Sequence, residues 1–105
     1  GIRMALDPYL EALESEWDLD LGFLGRLRMG VFEESGAARL LELIESIPLP
    51  EGETISRRLV SLLWFAPEFM TWQLGRVREA AGDVDSVERW RDRITEAIAR
   101  HFGWP

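Results

Sequence analysis

Residues 59–74, LVSLLWFAPEFMTWQL, contain one charge, Glu68, and four large aromatic side chains, Trp64, Phe65, Phe69 and Trp72. A run this apolar has to be covered. It is too short and too interrupted for a membrane span, which needs roughly 20 apolar residues. Pro67 stands in its middle, where it lacks an amide proton and disfavours a helical conformation at Ala66. The stretch therefore predicts two helical segments, joined or kinked at Pro67, on which the rest of the chain packs.

Helical spacing recurs on both sides. Asp7-Pro8 reads as a helix start, with aspartate as cap and proline at the first helical position. Leu10, Leu13 and Trp17 follow on one face. Asp18 or Asp20 is expected to cap the next segment, with Leu21, Leu24, Leu27 and Arg28 sharing a face. Gly22 and Gly25 each cost about 1 kcal/mol in a helix interior, so they predict close packing or an irregular turn. Gly30 ends this element and Ser35 caps the next, whose stripe is Ala37, Leu40, Leu41, Ile44 and Ile47, closed by Pro48. The PLPEG segment, 48–52, is a loop.

Thr54 is expected to cap the fourth helix, with Ile55, Leu59, Leu62, Leu63 and Ala66 inward. After Pro67, Met70, Leu74, Val77 and Ala81 carry the spacing to a stop at Gly82. Asp85-Ser86-Val87-Glu88 resembles a capping box with aspartate in place of serine or threonine. Val87, Trp90, Ile94, Ile98 and His101 then run to Gly103. No alternating run of useful length occurs, so the predicted fold is all-α: a compact single-domain bundle of five or six short helices with a break or kink at Pro67. Residues 1–3 read as a cloning remnant ahead of Met4, leaving 4–105 as one helical domain. Two short segments echo each other, LGRLR at 24–28 and LGRVR at 74–78, but their flanks differ and two copies fall short of a repeat array.

Composition removes several chemistries. There is no cysteine, and all twelve basic residues are arginine. Disulfides, thiolate metal sites, Schiff-base lysines and a Walker lysine are thereby excluded. The start has neither a basic nor an apolar signal region, so a cytoplasmic location is expected. His101 is the sole histidine; no metalloprotease or nucleophile-elbow pattern surrounds it, and its place in the last turn suits a capping role. Asp18/Asp20 and Asp83/Asp85 lack the calcium-loop pattern, and helix capping explains them. No metal, cofactor or catalytic residue is predicted. Trp17, Trp64 and Trp90 fit inward stripes, whereas Trp72 and Trp104 do not and are open to packing over a helix end or to contact with a partner.

Charge is divided unevenly. Residues 4–53 hold twelve carboxylates and three arginines, whereas residues 54–105 hold seven and eight. Asp7, Glu11, Glu14, Glu16, Asp18 and Asp20 fall within fourteen positions free of any cation, and Glu33 and Glu34 extend the field. Such a surface steers association with cationic partners, and it argues against direct nucleic-acid binding, which wants a basic patch. In size, charge and helical class the chain is similar in kind to small acidic immunity proteins that neutralise bacterial toxins, often nucleases.

The expected function is accordingly a small acidic interaction module, of immunity or antitoxin type, that binds a basic protein through Glu11, Glu14, Glu16, Asp18, Asp20, Glu33, Glu34 and Trp72. Arg57, Arg58, Arg76 and Arg78 are placed to meet part of that field within the molecule. The alternative is a small helical enzyme or ligand-binding domain with an aromatic pocket beside Trp64, Phe65, Phe69 and Trp72 and working carboxylates. A third option is an oligomeric structural protein, a homodimer among the possibilities, whose tryptophans meet at a subunit interface.

Overall fold

Six helices occupy the residues described by the computed structural model, 2–48 and 56–103, with side chains described from Asp7 onward. They are α1 (Ile2–Ser15), α2 (Phe23–Leu27), α3 (Glu34–Ser46), α4 (Arg57–Trp72), α5 (Leu74–Glu79) and α6 (Val84–Phe102). No strand occurs among the described residues. Both α3 and α4 pack on α6; α1 spans α3 and α4, while α2 seals the end against the same two helices. The expected all-α bundle is thus what forms. Its one core cluster includes Leu27, Ile44, Leu59, Met70, Val87 and Ile94, each fully buried. Each such side chain is worth about 1.5–3 kcal/mol removed from water, which is why the stripes outweigh local helix breakers.

That balance decides the course of α4. Pro67 lies inside the helix, which continues to Trp72, and the division expected at the proline falls instead at Gln73. A mid-helix proline costs about 3 kcal/mol. Here Leu59, Leu63 and Ala66 before it, and Phe69 and Met70 after it, are buried in one core, so one continuous helix buries both sets. Gln73 then takes φ −90° and ψ 0°, ends α4 and opens α5.

Other boundaries shift for local reasons. α1 starts at Ile2, so Pro8 sits within it and not at its first position. The good helix formers ahead of Asp7 carry the helix through. Glu33, not Ser35, occupies the N-cap of α3. Ser56 caps α4, its Oγ accepting from the Leu59 amide at 3.3 Å, while the expected cap Thr54 lies outside the described residues. So do Ile55, Trp104 and all of the PLPEG loop except Pro48. The cap of α6 is Asp83, two residues before the expected Asp85: its Oδ1 accepts from the Ser86 amide at 3.0 Å and its Oδ2 from the Ser86 hydroxyl at 2.6 Å. α5 ends with Ala81 at φ 60°, while the Gly82 amide donates to the Val77 carbonyl at 2.8 Å and the Ala81 amide to Arg78 at 3.0 Å. This pair of bonds defines a Schellman ending, with alanine in the left-handed position that glycine usually fills.

The two echoing segments form α2 and the start of α5, but their glycines are not equivalent. A Cβ on Gly25 would stand 1.9 Å from the Asp18 carbonyl oxygen, whereas one on Gly75 would meet nothing within 4 Å. The close approach expected at Gly22 and Gly25 is therefore real at both, since a Cβ on Gly22 would stand 2.4 Å from the Glu16 backbone. Among the described residues, no helix is long and apolar enough to cross a membrane.

Candidate functional site

The acidic stretch at the end of α1 divides into carboxylates that the fold consumes and carboxylates it leaves outward. Glu16 is consumed. It is 4 % exposed, its Oε1 accepts from the Phe23 amide at 3.2 Å, and Arg39 grips it bidentately, Nε to Oε2 at 2.9 Å and Nη2 to Oε1 at 2.8 Å. Its carbonyl oxygen takes the Leu24 amide at 2.8 Å and the Gly25 amide at 3.1 Å. One residue thereby satisfies three of the amides that open α2, which no side chain within α2's own cap serves. The Glu16 carboxylate in turn raises the Arg39 pKa, chiefly through the side-chain hydrogen bond. Both Glu16 carboxylate oxygens are thus engaged within the fold.

Glu14 and Glu33 are exposed but engaged. Arg58 of α4 donates to Glu14, from Nε at 2.8 Å, and Arg26 of α2 pairs with Glu33. The first of these is the intramolecular meeting of Arg58 with the acidic half that the charge pattern allowed. Exposed ion pairs of this kind contribute about 0–1 kcal/mol.

Glu11, Asp18, Asp20 and Glu34 are exposed. Asp18 does not cap α2. Its Oδ1 accepts from the Asp20 amide at 2.9 Å and the Leu21 amide at 3.0 Å, closing the turn that precedes the helix. Those two backbone donors hold its carboxyl below the ordinary 3.8, so it stays charged at neutral pH.

Glu11, Glu14 and Asp18 line a single groove together with Ser15, Trp17 and Leu21. Leu21 is 81 % exposed and does not share the buried face of Leu24 and Leu27 that its spacing predicts. Trp17 is half-buried and links this groove to α4. Its ring stacks on Phe65 at 6.2 Å between centroids and meets Phe69 edge-on at 4.9 Å. Phe65 in turn meets Trp72 edge-on at 5.1 Å. Trp72 is 63 % exposed, so the aromatic chain that begins at Trp17 ends at solvent. Glu11, Glu14 and Asp18 thus share one groove, which the Trp17 and Phe65 rings link to Trp72. Glu33 belongs instead to the Arg26 pair, in the field that also acts on Arg39, and Glu34 opens α3.

Trp64 departs from expectation most plainly. It is 61 % exposed rather than inward, while Trp90 is buried as predicted. Arg39 and Leu21 carry no site role in the sequence reading, and Phe65 carries one only as a wall of the alternative aromatic pocket. A usable signal existed only for α4: Glu68, the sole charge of its stretch, marks the outward face, and Trp64 and Trp72 stand four residues either side of it.

His101 occupies a structural position. Its Nε2 donates to the carbonyl of Ile47, the C-cap residue of α3, at 2.7 Å and so ties the end of α6 to the end of α3. Among the described residues, no three potential metal-ligating side chains gather at one point. No protein-family model matches the chain, and comparison with curated proteins and with solved structures finds no match.

Proposed function

We propose that this chain is a small acidic interaction module that docks a basic protein across the α1 groove and the aromatic surface running from Trp17 to Trp72. The observation that carries the reading is the adjacency just described: carboxylates Glu11, Glu14 and Asp18 share a groove with exposed Leu21 and half-buried Trp17, which connects through Phe65 to exposed Trp72. Charged rims set encounter rate and exclude wrong partners, whereas desolvated tryptophans supply much of the affinity. Asp18 and Glu11 serve the first role and Trp72 the second. An inhibitor of immunity or antitoxin type, neutralising a basic toxin such as a nuclease in the cytoplasm, is the biological form this reading takes, with residues 4–105 acting as one helical domain.

The test is retention of a basic partner from the native lysate at low salt, its release along a salt gradient, and association kinetics of the recovered pair. Reversing Glu11 and Asp20 to arginine, which leaves the Asp18 turn in place, is expected to slow association severalfold or more with helical content unchanged. Trp72→Ala is expected to accelerate dissociation instead. Association and dissociation that ignore both changes would remove this surface from consideration.

A further inference from the structure

The outer flank of α4 carries a second surface, separate from the acidic groove and facing α6. Val60, Leu63 and Trp64 of α4, with Ile98 and Phe102 of α6, line an apolar groove of about 190 Å³ that is open to solvent. Trp64 stands on its rim, 61 % exposed, and Val60 beside it is 39 % exposed. Leaving an indole and the cleft next to it both in water is costly, since exposed apolar patches of this kind mark contact surfaces. The row that bears them is Arg57, Val60, Ser61, Trp64 and Glu68, all exposed and on one side of the helix.

We infer that this flank is a homodimer interface in which two copies of α4 cross antiparallel about a two-fold axis and each Trp64 enters the other copy's groove. The occupant is a second copy of this chain because the row is complementary to itself. A two-fold axis near the Leu62–Leu63 peptide sets residues whose numbers sum to about 125 opposite each other. That register puts Arg57 of one copy against Glu68 of the other, twice. It also lays each Trp64 over Ser61, beside Val60 at the mouth of the facing groove. One register therefore satisfies the charge pair and fills the cleft, as an isologous interface requires. The volume suits an indole, and tryptophan is the residue most enriched among those that dominate interfaces. The Glu11–Asp18 groove has none of its lining residues in this contact, although Trp64 borders the aromatic run to Trp72 through its packing on Phe65 at 5.4 Å.

Sedimentation of the full chain from micromolar to millimolar concentration tests it. A concentration-dependent monomer–dimer equilibrium is expected. Trp64→Ala should weaken it about 30-fold or more, which is the hot-spot threshold expressed as a dissociation constant. Trp64 is exposed, so circular dichroism should report an unchanged fold. Arg57→Glu alone and Glu68→Arg alone should each weaken the dimer by opposing like charges, and the double swap should recover it. A chain that stays monomeric throughout overturns the inference. So does a dimer that ignores Trp64→Ala, or a double swap no better than either single change.

Discussion

At the scale of single residues, Glu16 has the largest structural role of the predicted site residues. Its carboxylate and carbonyl together receive the Phe23, Leu24 and Gly25 amides and the Arg39 guanidinium, and Gly22 and Gly25 make room for that approach. Replacing it with alanine strips a buried amide of its acceptor and a guanidinium of its counter-charge. Because a hydrogen bond to a charged group contributes about 1.5–3 kcal/mol, Glu16→Ala should lower unfolding free energy by about 2–3 kcal/mol. Glu16→Gln should cost less, since its amide oxygen still accepts from Phe23. Arg39→Ala should fall between them: the arginine side chain is 55 % exposed, so water replaces part of what it supplied. Urea denaturation of the three variants orders these costs, and an alanine variant within about 0.5 kcal/mol of wild type would contradict the role.

At the scale of elements, the stripes were readable in the sequence and the ends were not. Ala37, Leu40 and Ile44 of α3, Leu59, Leu63 and Ala66 of α4, and Val87, Trp90 and Ile94 of α6 all bury as their spacing demands. Periodicity over several turns averages out local preferences, whereas a cap depends on one or two bonds. Hence α6 begins at Asp83 and not Asp85, and α4 passes through Pro67 because tertiary burial outweighs the missing bond. The site was half legible for the same reason: a dense run of carboxylates is visible in sequence, but which of them faces Arg39 or Arg58 depends on residues 23 and 44 positions away. The Asp83 cap also sets a pH response. The Ser86 hydroxyl, then the Ser86 amide, hold its carboxyl below 3.8. A depressed folded value means the capping contribution is complete above the unfolded aspartate value of about 3.9 and is lost as pH falls through the folded one. Asp83→Asn keeps a capping oxygen without a titratable group. It should therefore melt close to wild type at neutral pH and show a shallower fall in melting temperature on the acid side. Parallel acid limbs for the two proteins would show that Asp83 does not contribute to the pH response.

For the molecule as a whole, the formal net charge of −7 acts on folding and on partner binding in opposite directions. Arg26 and Arg39 each answer a carboxylate of their own half, and Arg58 crosses over to Glu14, yet Glu11, Asp18, Asp20, Glu34, Glu42 and Glu45 remain exposed on the acidic half. That surplus repels itself in the folded state. The Debye length shrinks from about 30 Å at 0.01 M salt to about 8 Å at 0.15 M, so added salt should relieve the repulsion and raise the melting temperature. The Arg26–Glu33 and Arg58–Glu14 pairs lose strength over the same range, but both are exposed at both ends and such pairs contribute about 0–1 kcal/mol. The Arg39–Glu16 pair, with Glu16 buried, is screened less, so the trend is not reversed. The same screening removes the field that draws in a basic partner, so association should slow as salt rises. Thermal melts and association rates measured over one salt series should consequently slope in opposite senses. If both fall together, the exposed carboxylates are balanced within the fold, and the acidic groove loses its claim to steer a partner.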